Sequence, residues 1–116
     1  MEATAVKRLE EQLNEDFVDL VNVILDAKGR VVVTGIGKSA AIGTKIVATL
    51  NSTGTPAVFM HAADAVHGDL GMIQKDDIVI CISKSGNTPE IKALVPLIKQ
   101  SGNVLAAMVG DLGSFL

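Results

Sequence analysis

The sequence predicts an α/β fold: a parallel sheet sandwiched between helical layers (αβα), with one long helix ahead of it. Three observations carry this. Short β-branched runs alternate with segments of helical period, in the order α then β-α-β-α-β-α-β, and such alternation implies parallel strands joined by right-handed crossovers. The strand segments are apolar throughout, as strands covered on both faces are. Of the 116 residues, 48% are apolar, which suits a packed core rather than disorder and a chain of single-domain size.

Taken in order, residues 3–28 read as one helix, because Val6, Leu9, Leu13, Phe17, Leu20 and Ile24 step by three and four and so share a face. Gly29 is its stop signal. This helix either covers the sheet or serves as a packing arm for a partner subunit. "VVVTG" at 31–35 is the first strand. "SAAIGTKIVATLNSTG" follows as a helix with Ile42, Ile46, Val47 and Leu50 inward and Gly54 at its end. "PAVFM" at 56–60 is the second strand, and "HAADAVHGDLGMI" is a short helix or a loop. "DIVICIS" at 77–83 is the third strand. "TPEIKALVPLIKQSG" is a helix with Thr88 as N-cap, Pro89 at the first position and Gly102 as the stop; Pro96 inside it predicts a kink or local irregularity. "NVLAAMVG" at 103–110 is the fourth strand, and with no helix after it the core is expected to be incomplete at its C-terminal side. Residues 1–29 then form the leading helix and 30–116 a partial αβα core.

Composition narrows the function. The net charge is −3, with no Trp, no Tyr and three Phe. Nucleic-acid binding needs a basic stripe and stacking aromatics, and neither is visible. No apolar run reaches the roughly 20 residues that span a bilayer, and the charged start "MEATAVKRLEEQLNEDF" has no apolar signal core. A cytoplasmic protein that binds no membrane is expected. The single cysteine, Cys81, lies in an apolar run and reads as a core residue.

In parallel α/β sheets ligands bind beyond the carboxyl ends of the strands. Two glycine-rich turns fall there: "TGIGKSAA" at 34–41 and "SKSGNTPE" at 83–90. The first is not a P-loop, because Val32 stands where that motif needs glycine. Gly35, Gly37 and Ala40 formally meet a dinucleotide fingerprint, but the next strand ends in Met60-His61 rather than the acid that would hold a ribose. What survives is close backbone approach at the glycines, the charge of Lys38, and Ser39 at a helix start. In the second turn Ser83, Ser85 and Thr88 surround Gly86 just before a helix. Hydroxyls beside the free amides of a helix N-terminus make a cradle for one phosphate. Ordinary turn chemistry and an N-cap account for the same residues, but two such turns on adjacent strands would share one crevice.

"GIGKSAAIGTKIVATLNSTGTPAVFMHAADAVHGDLGMI" followed by "SKSGNTPEI" resembles the sugar isomerase (SIS) domain, and within it the arabinose 5-phosphate isomerases. The resemblance implies a flavodoxin-like phosphosugar-binding domain, usually tetrameric, that interconverts D-arabinose 5-phosphate and D-ribulose 5-phosphate for 3-deoxy-manno-octulosonate synthesis. It also implies site residues: Lys38, His67 and Glu90 as catalytic groups; Ser39, Ser83, Ser85 and Thr88, with Gly37, Lys84 and Gly86, around the phosphate; and Gly54 and Thr55 near the sugar. His61 matches a histidine that holds zinc in some members, where the metal inhibits, and no cofactor is required. Lys84 stands where asparagine or glutamine is common. A further catalytic histidine and, in many members, paired CBS modules lie beyond residue 116.

Isomerisation moves a proton between neighbouring carbons through an enediol, which needs a base, an acid and charge near the developing oxyanion. Glu90, in a helix's first turn, is the candidate base or simply a favourable N-terminal acid. His67 is a ring-opening acid or a hydrogen-bonded loop histidine, and Lys38 an oxyanion partner or a solvated lysine. Asp69 orients His67 or caps its turn, and His61, Asp64 and His67 make only a thin metal set. The rival functions are a sugar-phosphate sensor without catalysis, an isomerase of another phosphosugar, and a purely structural α/β module.

Overall fold

The computed structural model describes residues 15–66 and 68–110. The elements are α1 (Glu15–Leu25), β1 (Val31–Gly35), α2 (Lys38–Ser52), β2 (Ala57–His61), the short α3 (Ala62–Val66), a 3-10 turn (Asp69–Met72), β3 (Ile78–Ser83), α4 (Pro89–Gln100) and β4 (Val104–Val109). The segment left open between helix and loop is thus both. All strands are parallel, in the order β2-β1-β3-β4. That is the flavodoxin-like order, with its switch point between β1 and β3.

The alternation of side chains along each strand divides the core in two. Val31, Val33, Ile80 and Ile82 face α1 and α2, with Leu20, Ile24, Ile46, Val47 and Leu50 against them. Val32, Val79 and Cys81 face α3 and α4, where Ile91, Leu94 and Ile98 are fully buried. Each of those α4 side chains contributes about 1.5–3 kcal/mol by leaving water. Burial pushes the Cys81 thiol up to about 12, so it stays protonated and serves as a small apolar group. Among the described residues no helix is long and apolar enough to cross a membrane.

Several expectations are corrected. Of the predicted 3–28 helix, residues 3–14 lie outside the described residues, and α1 ends at Leu25 rather than at residue 28. The last turn tightens there, Ala27 N–H donating to the Ile24 carbonyl at 3.2 Å. Gly29 does not stop the helix through a left-handed turn; its α-carbon lies so near Asp76 that an added Cβ would sit 2.3 Å from that carbonyl oxygen. Phe17, read as sharing a face with Leu20 and Ile24, is 49% exposed. Ile42, expected inward, is 54% exposed, and Gly43 takes the inward position, where a Cβ would meet the Phe59 ring at 2.8 Å. α4 continues as one helix through Pro96, which lies on its exposed side and has no N–H to donate within it.

Candidate functional site

β1 leads through α2 to β2 on one side, and β3 leads through α4 to β4 on the other. The turns that leave β1 and β3 therefore start side by side and part toward opposite faces of the sheet, which opens a crevice between them.

The first turn is made by Gly37, whose φ of 63° suits glycine and which stands as N-cap of α2. Among the described residues no side-chain cap bond is made at this helix start. Lys38 is its first residue and is exposed, and Ser39 is half-buried. Gly35 is closely packed: a Cβ there would lie 3.2 Å from the Ile82 carbonyl and from Ser39.

The second turn is held by its own hydroxyls. Ser83 Oγ accepts from the Gly86 amide at 3.0 Å and shares a hydrogen bond with Thr88 Oγ1 at 3.1 Å. Gly86 has φ 72°. Ser85 Oγ accepts from the Asn87 amide at 3.1 Å, and Asn87 Nδ2 donates to the Ser85 carbonyl at 3.2 Å. Thr88 stands at the N-cap as expected, yet its hydroxyl turns to Ser83 rather than to the helix amides. Pro89 has no N–H, and Glu90 lies in the first turn, half-buried. Ser83 is buried, whereas Lys84 and Ser85 are exposed. β4 backs this turn, with the Gly110 amide donating to the Lys84 carbonyl at 2.9 Å, a brace that sequence reading missed.

His61 ends β2 in register with Gly35, so it borders the first turn. Its Nδ1 accepts from the Ala63 amide at 3.3 Å, and its ring meets Phe59 edge-on at 6.3 Å. Among the described residues no three His, Cys, Asp or Glu side chains form a metal set. His67 lies outside the described residues.

Gly54 and Thr55 are not brought to the crevice. They close the turn between the end of α2 and the start of β2, at the N-terminal edge of the sheet. There Asn51 pins the entry to β2, donating to the Ala57 carbonyl at 3.0 Å and accepting from its amide at 2.8 Å. α2 runs back antiparallel to the strands, so its end must lie at the edge opposite the crevice.

Thr34, one residue before Gly35, is fully buried, and its Oγ1 has no hydrogen-bond partner among the described residues. A cleft of about 570 Å³ opens at the other end of the sheet, between α1 and the starts of β3 and β4. Asp19, Asp26 and Asp76 line it against the single cation of Lys28. That charge repels a phosphate, so the cleft is a poor rival to the crevice.

With this geometry in view, the chain matches the SIS domain family over residues 24–116. It belongs to that family. It is 52% identical over 111 residues to arabinose 5-phosphate isomerase KdsD of Pseudomonas aeruginosa, covering 96% of this chain and 34% of that protein. It is 50% identical over 110 residues to arabinose 5-phosphate isomerase GutQ of Escherichia coli K12, covering 95% and 34%. A solved structure, c3406 of E. coli CFT073 in complex with A5P, superposes with a TM-score of 0.92 at 45% identity, covering 99% of this chain and 61% of that one. The SIS chain thus spans about a third of the length of the curated relatives it matches.

Proposed function

We propose that the protein is an aldose–ketose isomerase of phosphorylated pentoses, interconverting D-arabinose 5-phosphate and D-ribulose 5-phosphate on the way to 3-deoxy-manno-octulosonate for lipopolysaccharide or capsule. One observation carries the reading: neighbouring strands β1 and β3 end in two amide- and hydroxyl-rich turns at one crevice, in a chain about half identical to proteins named for this reaction. The phosphate lies across the starts of α2 and α4, held by Ser39, Ser85 and Thr88 with Lys84 and the amides near Gly37 and Gly86, while Ser83 holds the turn in shape. Glu90 takes the proton from the carbon beside the carbonyl and returns it to the neighbouring carbon. Lys38 steadies the negative charge that grows on the oxygen, and His67 opens the sugar ring. Gly54 and Thr55 act near the sugar only if another protomer supplies them. The reading includes a cytoplasmic homotetramer; zinc is no part of the chemistry.

The test is turnover by the complete protein on a panel of aldose phosphates. The expected result is ketose from arabinose 5-phosphate, a fall of about 10²–10⁴-fold in Glu90→Gln, and phosphosugar affinity kept in that variant. A sugar-phosphate sensor would bind without turnover and would be indifferent to Glu90. Full activity in Glu90→Gln removes that carboxylate from the mechanism.

A further inference from the structure

α3 is only five residues long, Ala62–Val66. A helix that short does not hold itself together, so its place is set by what grips it. One grip is packing. Ala62 and Ala65 are buried in the cluster that holds Ile91 and Leu94 of α4, and side chains that small let the two helices lie close. The other grip is at the helix start. His61 stands in the N-cap position, just before Ala62, and its Nδ1 accepts from the Ala63 amide at 3.3 Å. An N-cap side chain takes one of the first amides that a helix leaves unpaired, and the second helical residue is a usual donor.

The common caps are Ser, Thr, Asp and Asn; a histidine in their place has a ring to seat as well. Residues two apart on a strand share a face, so His61 lies with Phe59 on the α2 side of the sheet, and the two rings meet edge-on with planes 78° apart. Phe59 itself packs under Gly43 of α2, and His61 is in register with Gly35 of the first turn. One imidazole is therefore seated against the α2 layer through its ring and holds α3 through its nitrogen. In sequence α3 ends at Val66, and the next residue is His67.

We propose that His61 is a positioning residue: by capping α3 it fixes where the chain delivers His67. The proposal rests on the isomerase reading above and adds to it a residue that acts without touching the substrate. Its effect falls on rate rather than affinity. Displacing a reacting group by about 1 Å costs on the order of 10²-fold in rate, while the phosphate is gripped at the starts of α2 and α4, away from the capped amide.

Two substitutions separate the nitrogen from the ring. His61→Asn sets an amide oxygen where Nδ1 stood and removes the ring; His61→Phe keeps a ring and removes the acceptor. In the complete protein, His61→Phe should lower kcat on arabinose 5-phosphate by about tenfold or more, with phosphosugar affinity unchanged by calorimetric titration. His61→Asn should recover most of that loss. Amide exchange read by NMR should be about tenfold faster at Ala63 in His61→Phe than in wild type, and close to wild type in His61→Asn. Should circular dichroism show His61→Phe unfolded, His61→Gln, whose amide stands one bond too far out to cap, carries the same expectation. Full kcat in the uncapped variant, His61→Asn no better than it, or unaltered exchange at Ala63 overturns the proposal. No turnover by the wild type would defeat the isomerase reading and with it the service to His67, while the exchange result would still decide whether His61 caps α3.

Discussion

At the N-terminal end of the sheet, Asp77 is buried and accepts from the Arg30 amide at 2.9 Å, from Arg30 Nη2 at 2.8 Å and from the Gln74 amide at 2.8 Å. Asn103 donates to the carbonyls of Gln74 and Asp77, both at 2.9 Å. The Arg30 and Asn103 bonds join segments far apart in sequence. At the C-terminal end, Ser83, Ser85 and Thr88 bond within their own turn, and among the described residues no side-chain cap bond reaches the starts of α2 and α4. One end spends its polar groups on holding the chain together. The other shapes a surface and leaves donors for something else. A buried carboxylate is tolerable only when fully hydrogen-bonded, whereas a ligand cradle works only while its donors remain unclaimed.

The strongest way to break this contrast is Asp77→Ala, which removes the acceptor of the Arg30 and Gln74 amides and of the Arg30 side chain, leaves Arg30 its 2.8 Å bond to the Met72 carbonyl, and should cost roughly 3 kcal/mol of stability. Urea unfolding measures it, and phosphosugar affinity should hold wherever the variant is folded. Loss of affinity with intact stability would show the two ends to be coupled. At the other end, Ser85→Ala and Thr88→Val should each weaken phosphosugar binding by about 1.5–3 kcal/mol, the worth of a hydrogen bond to a charged group. Calorimetric titration reads this, with the melting temperature nearly unchanged. Asn103→Ala should cost about 1–2 kcal/mol of stability and nothing in binding.

Acid sharpens the same comparison. Burial alone would raise the Asp77 pKa, but the hydrogen bonds from the Arg30 side chain and from the Gln74 and Arg30 amides, with the Arg30 charge, outweigh it and hold the carboxyl below its ordinary 3.8. Its contribution is therefore fully present above pH 3.8 and is lost as pH falls through the lower folded value. Unfolding curves of wild type should slope through that window, and those of Asp77→Asn should lack this part of the slope. The smallest effect belongs to Thr34→Val. Removing a buried hydroxyl with no partner while keeping the shape should be neutral or stabilising by up to about 1 kcal/mol.

The strands were legible because Val31–Val33 and Ile78–Ile82 are unbroken apolar runs, a pattern that both-face burial dictates. The turns were legible because glycine and hydroxyl residues cluster where β1 and β3 end. Ile42 was misplaced because periodicity follows apolar residues, and the true inward residue, Gly43, has no side chain to announce itself. The Arg30–Asp77 ion pair, at 2.8 Å, joins the residues just before β1 and β3 and leaves no local signal. The remoteness of Gly54 and Thr55 from the crevice follows from topology rather than from the motif that contains them.

Gly43 has a mechanical consequence. Its bare α-carbon lets α2 settle onto Phe59 and Val33, and the same rigid rod carries Lys38 and Ser39 at its tip. A single methyl group added there would act as a wedge under a lever, lifting the whole helix by some tenths of an ångström and retuning the reach of its leading residues without touching any of them.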